Sequence, residues 1–198
     1  MMLAAVAVVA FVAVAGAVFW LSEQQARKMQ VGIPDFSSQE FRLTDQSGAS
    51  RSAADFAGAP VALFFGYTYC PDVCPMTLTL LANALDEVGD RGLDTAALQT
   101  IFVTVDAERD TPEQLAAYLS LFDTEVTGLT GSSEALVKVQ RDFGAYASRV
   151  EREDGVVLWD HTATVYLYDA DGRFTGTIVF NEPPEFVIEK LARLFQTG

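Results

Sequence analysis

Two short apolar runs, each followed by a segment with helical spacing, constrain the fold of this chain more than any other feature. Val61–Phe65 and Ile101–Val105 have the length of one strand and are almost wholly apolar, which is typical of strands buried on both faces of a sheet. A helical stripe at Met76–Val88 follows the first run, and a helix with Thr111 as its cap and Pro112 in its first position follows the second. The alternation predicts an α/β domain.

The remaining elements place this domain in a known architecture. A turn at Asp169–Gly172 separates two strand-like segments and predicts a hairpin. The other predicted elements are a small hairpin at Phe41–Gly48, a helix at Ser133–Phe143, strands at Thr164–Tyr168 and Phe174–Val179, and a last helix at Glu185–Phe195. We therefore predict a thioredoxin-like sandwich, a central mixed sheet with flanking helices, over residues 33–198.

The N-terminal segment differs in composition from the rest of the chain. Residues 1–21 carry no charged side chain, and about 20 apolar residues are what a helix needs to cross a bilayer. We predict an uncleaved transmembrane anchor at 1–21 and a juxtamembrane linker at 22–32; a cleaved signal peptide ending near Ala15–Ala17 is the alternative. Arg27 and Lys28 taken alone favour a cytoplasmic domain, whereas the missing Arg- and Ser-rich presequence favours a bacterial membrane protein.

Composition excludes several classes of function. Thirteen Lys and Arg residues stand against 27 Asp and Glu residues, which gives a net charge of −14. A field of this sign repels phosphate backbones, so we predict no nucleic-acid partner. Two cysteines and one histidine also exclude a scaffold of many disulfides and a histidine-rich metal cage.

The chemistry of the chain is concentrated in the loop Cys70-Pro71-Asp72-Val73-Cys74-Pro75. The loop lies between a buried strand and a helix, and we expect the helix to begin near Pro75 with Cys74 as its cap. Both sulfurs would then lie at the positive end of the helix, which lowers thiol pKa values. This placement suits metal binding and disulfide exchange equally, and an inert disulfide is the structural alternative.

His161 is the third candidate, because it lies just before the predicted Thr164–Tyr168 strand, which is expected to lie beside the strand that ends at Phe65. Two thiolates and one imidazole form a soft three-ligand set that suits copper, Cu(I) in particular, while the imidazole helps to tolerate Cu(II). Structural zinc normally takes four protein ligands, whereas catalytic zinc with two cysteines and one histidine stays open. We expect Asp160 to orient the imidazole and give Asp72 a minor role beside the metal.

Three motifs together resemble the Sco/SenC family of membrane-anchored, thioredoxin-fold copper proteins. They are Gly66–Pro75, then Val105-Asp106 with Arg109–Glu113, and Asp160-His161-Thr162 with Tyr166-Leu167. Ala107 and Trp159 replace the Pro and Val that are common in the family, and neither change removes a ligand.

The resemblance implies that Cys70, Cys74 and His161 bind one copper ion as Cu(I) or Cu(II). It also implies that the protein helps to build the binuclear copper site of cytochrome c oxidase, with the copper-bearing subunit as partner. Other copper chaperones and a thioredoxin-like reductant are further expected partners. The expected location is the bacterial inner membrane, with the domain facing the periplasm.

Three functions remain open on the sequence. A metallochaperone, which is not an enzyme, passes copper on by ligand exchange. A thiol–disulfide reductase keeps the cysteines of the oxidase reduced, although thioredoxin-type exchangers use Cys-x-x-Cys and a later proline that is absent between Pro112 and Pro183. A peroxide-reducing protein needs a basic group beside its thiol, yet no Lys or Arg lies between Arg51 and Arg91.

Overall fold

A computed structural model describes residues 32–196 together with Gly16. The predicted anchor at 1–21 and the linker at 22–32 lie almost entirely outside the described residues. Within the described part, no helix is both long and apolar enough to cross a bilayer. The described residues from Pro34 onward form one compact unit.

A seven-stranded mixed sheet forms the centre of the domain. In spatial order the strands are β2 (Ser50–Arg51), β1 (Leu43–Asp45), β5 (Val126–Thr130), β4 (Gln99–Thr104), β3 (Val61–Gly66), β8 (Val165–Tyr168) and β9 (Phe174–Ile178). Strands β3, β4 and β5 are parallel, and the other pairs are antiparallel. A separate two-stranded hairpin contains β6 (Ala147–Glu151) and β7 (Val157–His161).

In the described part of the chain, four helices flank the sheet: α1 (Val73–Asp90), α2 (Pro112–Leu119), α3 (Ser133–Asp142) and α4 (Pro184–Leu194). Helices α1 and α4 contact each other, and α2 packs on β5. The side chain of Thr111 accepts a hydrogen bond from the backbone N–H of Gln114, as predicted for the cap of α2. The predicted thioredoxin-like α/β architecture is confirmed.

Strand β3 lies in the interior of the sheet, and its register places the functional residues. All six of its residues are buried, in agreement with the apolar run in the sequence. Its neighbour β8 is antiparallel to it, with Phe64 opposite Val165. Because β3 ends where β8 begins, the residues that follow β3 meet those that precede β8. The expected proximity of His161 to the cysteine loop is therefore a consequence of sheet topology.

The start of α1 differs from the prediction. The helix begins at Val73, with Asp72 in the N-cap position, so Cys74 lies inside the first turn and is not the cap. Pro75 is tolerated there because the first N–H groups of a helix have no partner within the helix. A residue before proline disfavours helical dihedral angles. Cys74 adopts them nevertheless, because this places its side chain in the interior, with an exposed fraction of 0%.

Three strands were absent from the prediction. Strand β5 contains Gly128 and lacks a continuous apolar run; a Cβ at this glycine would lie 2.5 Å from a methyl carbon of Leu119. Strands β6 and β7 are mostly exposed or half-buried, so burial leaves no periodic pattern in their sequence. The signal that predicts this hairpin is Asp154-Gly155, a turn dipeptide in which Gly155 takes a φ of +80°.

Candidate metal centre

The loop that carries the cysteines is fixed to the sheet by a buried carboxylate. Oδ2 of Asp110 accepts a hydrogen bond from the backbone N–H of Thr68 (3.0 Å), and Oδ1 accepts one from the Thr68 hydroxyl (2.6 Å). The hydroxyl of Thr104, at the end of β4, donates to the same carboxylate. Burial raises the pKa of Asp110. The carboxylate thus joins the start of the cysteine loop to the neighbouring strand.

Both cysteines are reduced and buried in the structure. Cys70 is 8% exposed and Cys74 is 0% exposed. The backbone N–H of Cys74 lies 3.4 Å from Sγ of Cys70 and donates to it. This contact follows from the position of Cys70 just before the first turn of α1, where backbone N–H groups point outward without helical partners. The helix start therefore stabilises negative charge on Cys70.

The two thiols have opposite pKa shifts. The hydrogen bond from the Cys74 thiol is the main cause that lowers the pKa of Cys70 to about 4, with help from His161 and backbone N–H groups and against the opposing effect of burial. Burial is the main cause that raises the pKa of Cys74, followed by the bond and charge of Cys70. The position at the helix start predicts low pKa values for both thiols; this is wrong for Cys74, because it is more deeply buried than Cys70. Cys70 is therefore the thiolate and Cys74 the thiol that donates to it.

This asymmetry predicts the pH dependence of alkylation in the reduced, metal-free protein. The rate at Cys70 is expected to stay nearly constant between pH 6 and 8, because a thiol with a pKa of about 4 is already ionised. An ordinary thiol accelerates about tenfold per pH unit over that range, because only its thiolate reacts. Iodoacetamide labelling followed by peptide mass spectrometry measures both sites. A tenfold rise per unit at Cys70, or faster labelling at Cys74, would contradict the assignment.

His161 approaches the sulfurs from the end of β7. Its Nε2 lies 3.6 Å from Sγ of Cys74, and its Nδ1 lies 3.1 Å from the backbone carbonyl oxygen of Thr162. A carbonyl oxygen only accepts, so Nδ1 donates to it, and Nε2 is the ring nitrogen that faces the sulfurs. The orienting contact expected from Asp160 is made instead by Thr162, while the Asp160 side chain is exposed.

Aromatic side chains hold the imidazole ring in place. Tyr67 meets His161 edge to face at a centroid distance of 5.7 Å, and Phe64 does so at 6.1 Å. The ring and Cys70 both line a cleft of about 250 Å³. Asp72 lies at this cleft with its side chain exposed. Sequence reasoning missed the contribution of Thr162, since a backbone carbonyl leaves no mark in a sequence.

The three ligand atoms fit a single metal ion. Sγ of Cys70, Sγ of Cys74 and the imidazole nitrogen of His161 all lie within 4.8 Å of one another. Bond lengths of about 2.0–2.3 Å for soft-metal thiolate and imidazole ligands place three ligands around one ion about 3.5–4 Å apart. A small contraction therefore converts the observed triangle into a three-coordinate site. Donor types, tautomer and spacing all agree with a metal centre.

Comparison with known proteins gives consistent matches across the folded domain. The family model described as SCO1/SenC matches residues 33–196. The mitochondrial SCO2 homologue of Danio rerio is 39% identical over 152 residues, 76% of this chain and 52% of that protein. The SenC protein of Rhodobacter capsulatus is 33% identical over 162 residues, 82% of this chain and 69% of that protein. The chain thus spans only about half the length of the fish relative.

Solved structures agree with this result. ScoI of Bradyrhizobium japonicum, solved with copper bound, is 40% identical, with a TM-score of 0.70 over 79% of this chain and 98% of that one. ScoI of Arabidopsis thaliana, also solved with copper bound, is 29% identical, with a TM-score of 0.75 over 81% of this chain and 98% of that one. The match of the family model to most of the domain, together with these relatives, shows that the chain belongs to the SCO1/SenC family.

Proposed function

We propose that this protein is a copper metallochaperone. It binds one copper ion through Cys70, Cys74 and His161 and delivers the ion to the binuclear copper site of cytochrome c oxidase. The observation that carries the proposal is the convergence of two sulfurs and one imidazole nitrogen within 4.8 Å. Solved relatives that hold copper support the choice of metal.

The donor set favours copper over zinc. Soft thiolate ligands select Cu(I), and three ligands satisfy it, whereas structural zinc takes four. Three protein ligands also leave one side of the ion accessible from the cleft, as transfer by ligand exchange requires. The chain acts in this role as a carrier, and the copper ion is its cargo.

Burial suggests an order for the exchange. Cys70 and His161 line the open cleft, while Cys74 is fully buried and does not. An incoming partner thiolate therefore replaces Cys70 or His161 first, and Cys74 releases the ion last. Each replacement keeps the ion bound to soft ligands throughout, so free copper is never released.

Transfer to an acceptor tests the delivery role. The Cu(I)-loaded domain is mixed without oxygen with the copper-free soluble domain of an oxidase copper-bearing subunit, and copper is measured in both after separation. We expect the acceptor to gain copper as this protein loses it, even with a Cu(I) chelator present that traps free ions. Cys74→Ser protein, treated identically, is expected to deliver none. A wild-type protein that binds copper and passes all of it to the chelator would contradict delivery.

Thiol–disulfide exchange is a second role that the same geometry favours. The Cys70 thiolate attacks one sulfur of a partner disulfide and forms a mixed disulfide, and one partner thiolate leaves. Cys74 then loses its proton and attacks Sγ of Cys70, which releases the second partner thiolate and leaves a Cys70–Cys74 disulfide. Two electrons pass to the partner, so this protein is oxidised once per disulfide reduced. The low pKa of Cys70 and its contact with Cys74 support this order.

The location completes the proposal. We place residues 1–21 as a membrane anchor and residues 22–32 as the linker to the domain, in a bacterial inner membrane with the domain in the periplasm. The support is the uncharged apolar sequence of residues 1–21, which has the length of a membrane span. An anchored domain of this kind would work beside the membrane-embedded oxidase that it serves.

A further inference from the structure

His161 ends a hairpin that does not pair with the main sheet, although β8, which follows after three residues, belongs to that sheet. Among the described residues, strands β6 and β7 pair only with each other, with His161 opposite Ala147. The cysteines, in contrast, follow a strand in the interior of the seven-stranded sheet. The distance between the imidazole and the sulfurs therefore depends on contacts that hold the hairpin against the cysteine loop.

Arg109 makes such a contact from the loop between β4 and α2. Its Nη1 donates to the backbone carbonyl oxygen of Val157, the first residue of β7, at 3.0 Å. Its Nε donates to Asp106, whose side chain is 3% exposed. The guanidinium group thus joins a buried carboxylate to the strand that ends in the imidazole.

The same guanidinium group stacks on the cysteine loop. Its central carbon lies 4.8 Å from the ring centroid of Tyr69 and 5.9 Å from that of Tyr67, within the range of cation–π attraction. Tyr67 in turn packs edge to face on His161. Arg109 therefore contacts both of the elements whose separation sets the metal site.

We propose that Arg109 is a positioning residue that holds the β6–β7 hairpin, and with it Nε2 of His161, against the cysteine loop. The inference rests on the proposed copper site and adds a residue that controls its third ligand. Without the guanidinium group, the hydrogen bond to Val157 of the hairpin is lost. The stacking contacts with Tyr67 and Tyr69 of the cysteine loop are lost as well. Copper is then held by the two cysteines without the imidazole, and it dissociates from them faster.

A lysine at position 109 keeps the positive charge of the arginine but not the geometry of its guanidinium group. An ammonium group still neutralises Asp106, so no buried charge is left without a partner. It lacks the planar fork that binds two acceptors while stacking on a ring. The Arg109→Lys protein is therefore expected to fold but to lose the contacts that hold the β6–β7 hairpin against the cysteine loop. Arg149→Lys is the matched control, because Arg149 lies on β6 in the same hairpin and pairs with the exposed Glu151.

The first measurement needs no metal. His161 is the only histidine in the chain, so an untagged protein gives one set of imidazole signals in ¹H–¹⁵N spectra. In the copper-free protein, Arg109→Lys is expected to move these signals toward those of a free imidazole, because the ring leaves Tyr67. Arg149→Lys is expected to leave them unchanged. Unchanged signals in Arg109→Lys would overturn the proposal.

The second measurement is a double-mutant cycle on Cu(I) release to a chelator. Arg109→Lys is expected to accelerate release about tenfold, the effect of losing one hydrogen bond from a charged donor. In a His161→Ala background the same change is expected to have no effect, because the two residues act as one unit. Equal acceleration in both backgrounds would overturn the proposal, since Arg109 would then act through the cysteines alone. A wild-type protein that binds no copper would overturn the proposed function instead.

Discussion

Replacing His161 with alanine is expected to abolish the stable Cu(II) form of the protein. The wild type should show a sulfur-to-copper charge-transfer band that saturates at one equivalent of Cu(II). Without the imidazole, two Cu(II) ions oxidise the Cys70 thiolate and the Cys74 thiol to a disulfide; Cys74 gives its proton to solvent, and the metal leaves as two Cu(I) ions. The harder imidazole ligand is what makes Cu(II) tolerable in this set. Anaerobic titration followed by absorption spectra and a thiol count measures both effects.

Asp160→Asn is the matched control for this variant. Asp160 is the exposed neighbour of His161 on β7 and lines the same cleft. Since the ring is oriented by the carbonyl oxygen of Thr162, the asparagine variant should keep the band and the one-equivalent endpoint. If His161→Ala kept the band while Asp160→Asn lost it, the assignment of the third ligand would be wrong.

Replacing Gly66 with alanine is expected to damage the fold and the metal site together. A Cβ at this position would lie 2.8 Å from Sγ of Cys74 and 2.7 Å from Cε2 of Phe102. Both neighbours are fully buried, so neither can move aside cheaply. Overpacking of this kind costs about 1–3 kcal/mol of folding free energy, and the shifted sulfur no longer meets the other two ligands.

Gly176→Ala provides the comparison, because Gly176 also lies in a strand but has no atom within 4 Å of an added Cβ. Urea unfolding of the copper-free proteins should show a loss of stability for Gly66→Ala and little change for Gly176→Ala. Copper titration should show a weakened site in the first variant only. A Gly66→Ala protein with wild-type stability and copper binding would show that the close packing described around Cys74 is incorrect.

The sequence predicts most of the sheet because its central strands are buried on both faces. Val61–Phe65 and Ile101–Val105 are apolar for that reason, and their strands were found within two residues of the expected bounds. The β6–β7 hairpin was not predicted because its residues are half-buried or exposed and follow no burial pattern. The hairpin that carries His161 was therefore visible in the sequence only through its turn.

The candidate ligands and their proximity could be predicted from residue types and the expected strand order, but the different roles of the two cysteines could not. A chain with two cysteines and one histidine offers few possible sets of soft metal ligands, and the strand order brings this set together. The different roles of the two cysteines depend on depth: Cys74 lies inside the first turn of α1, and Cys70 precedes it. The contacts of Arg109 with Val157 and Tyr69 join residues distant in sequence, and only the structure shows them.

X-ray absorption at the copper edge tests the three-ligand site most directly. The protein loaded with one equivalent of Cu(I) is predicted to show two sulfur ligands and one imidazole nitrogen, and His161→Ala is predicted to lose the nitrogen and keep both sulfurs. Identical spectra for the two proteins, with no imidazole contribution in the wild type, would contradict the account.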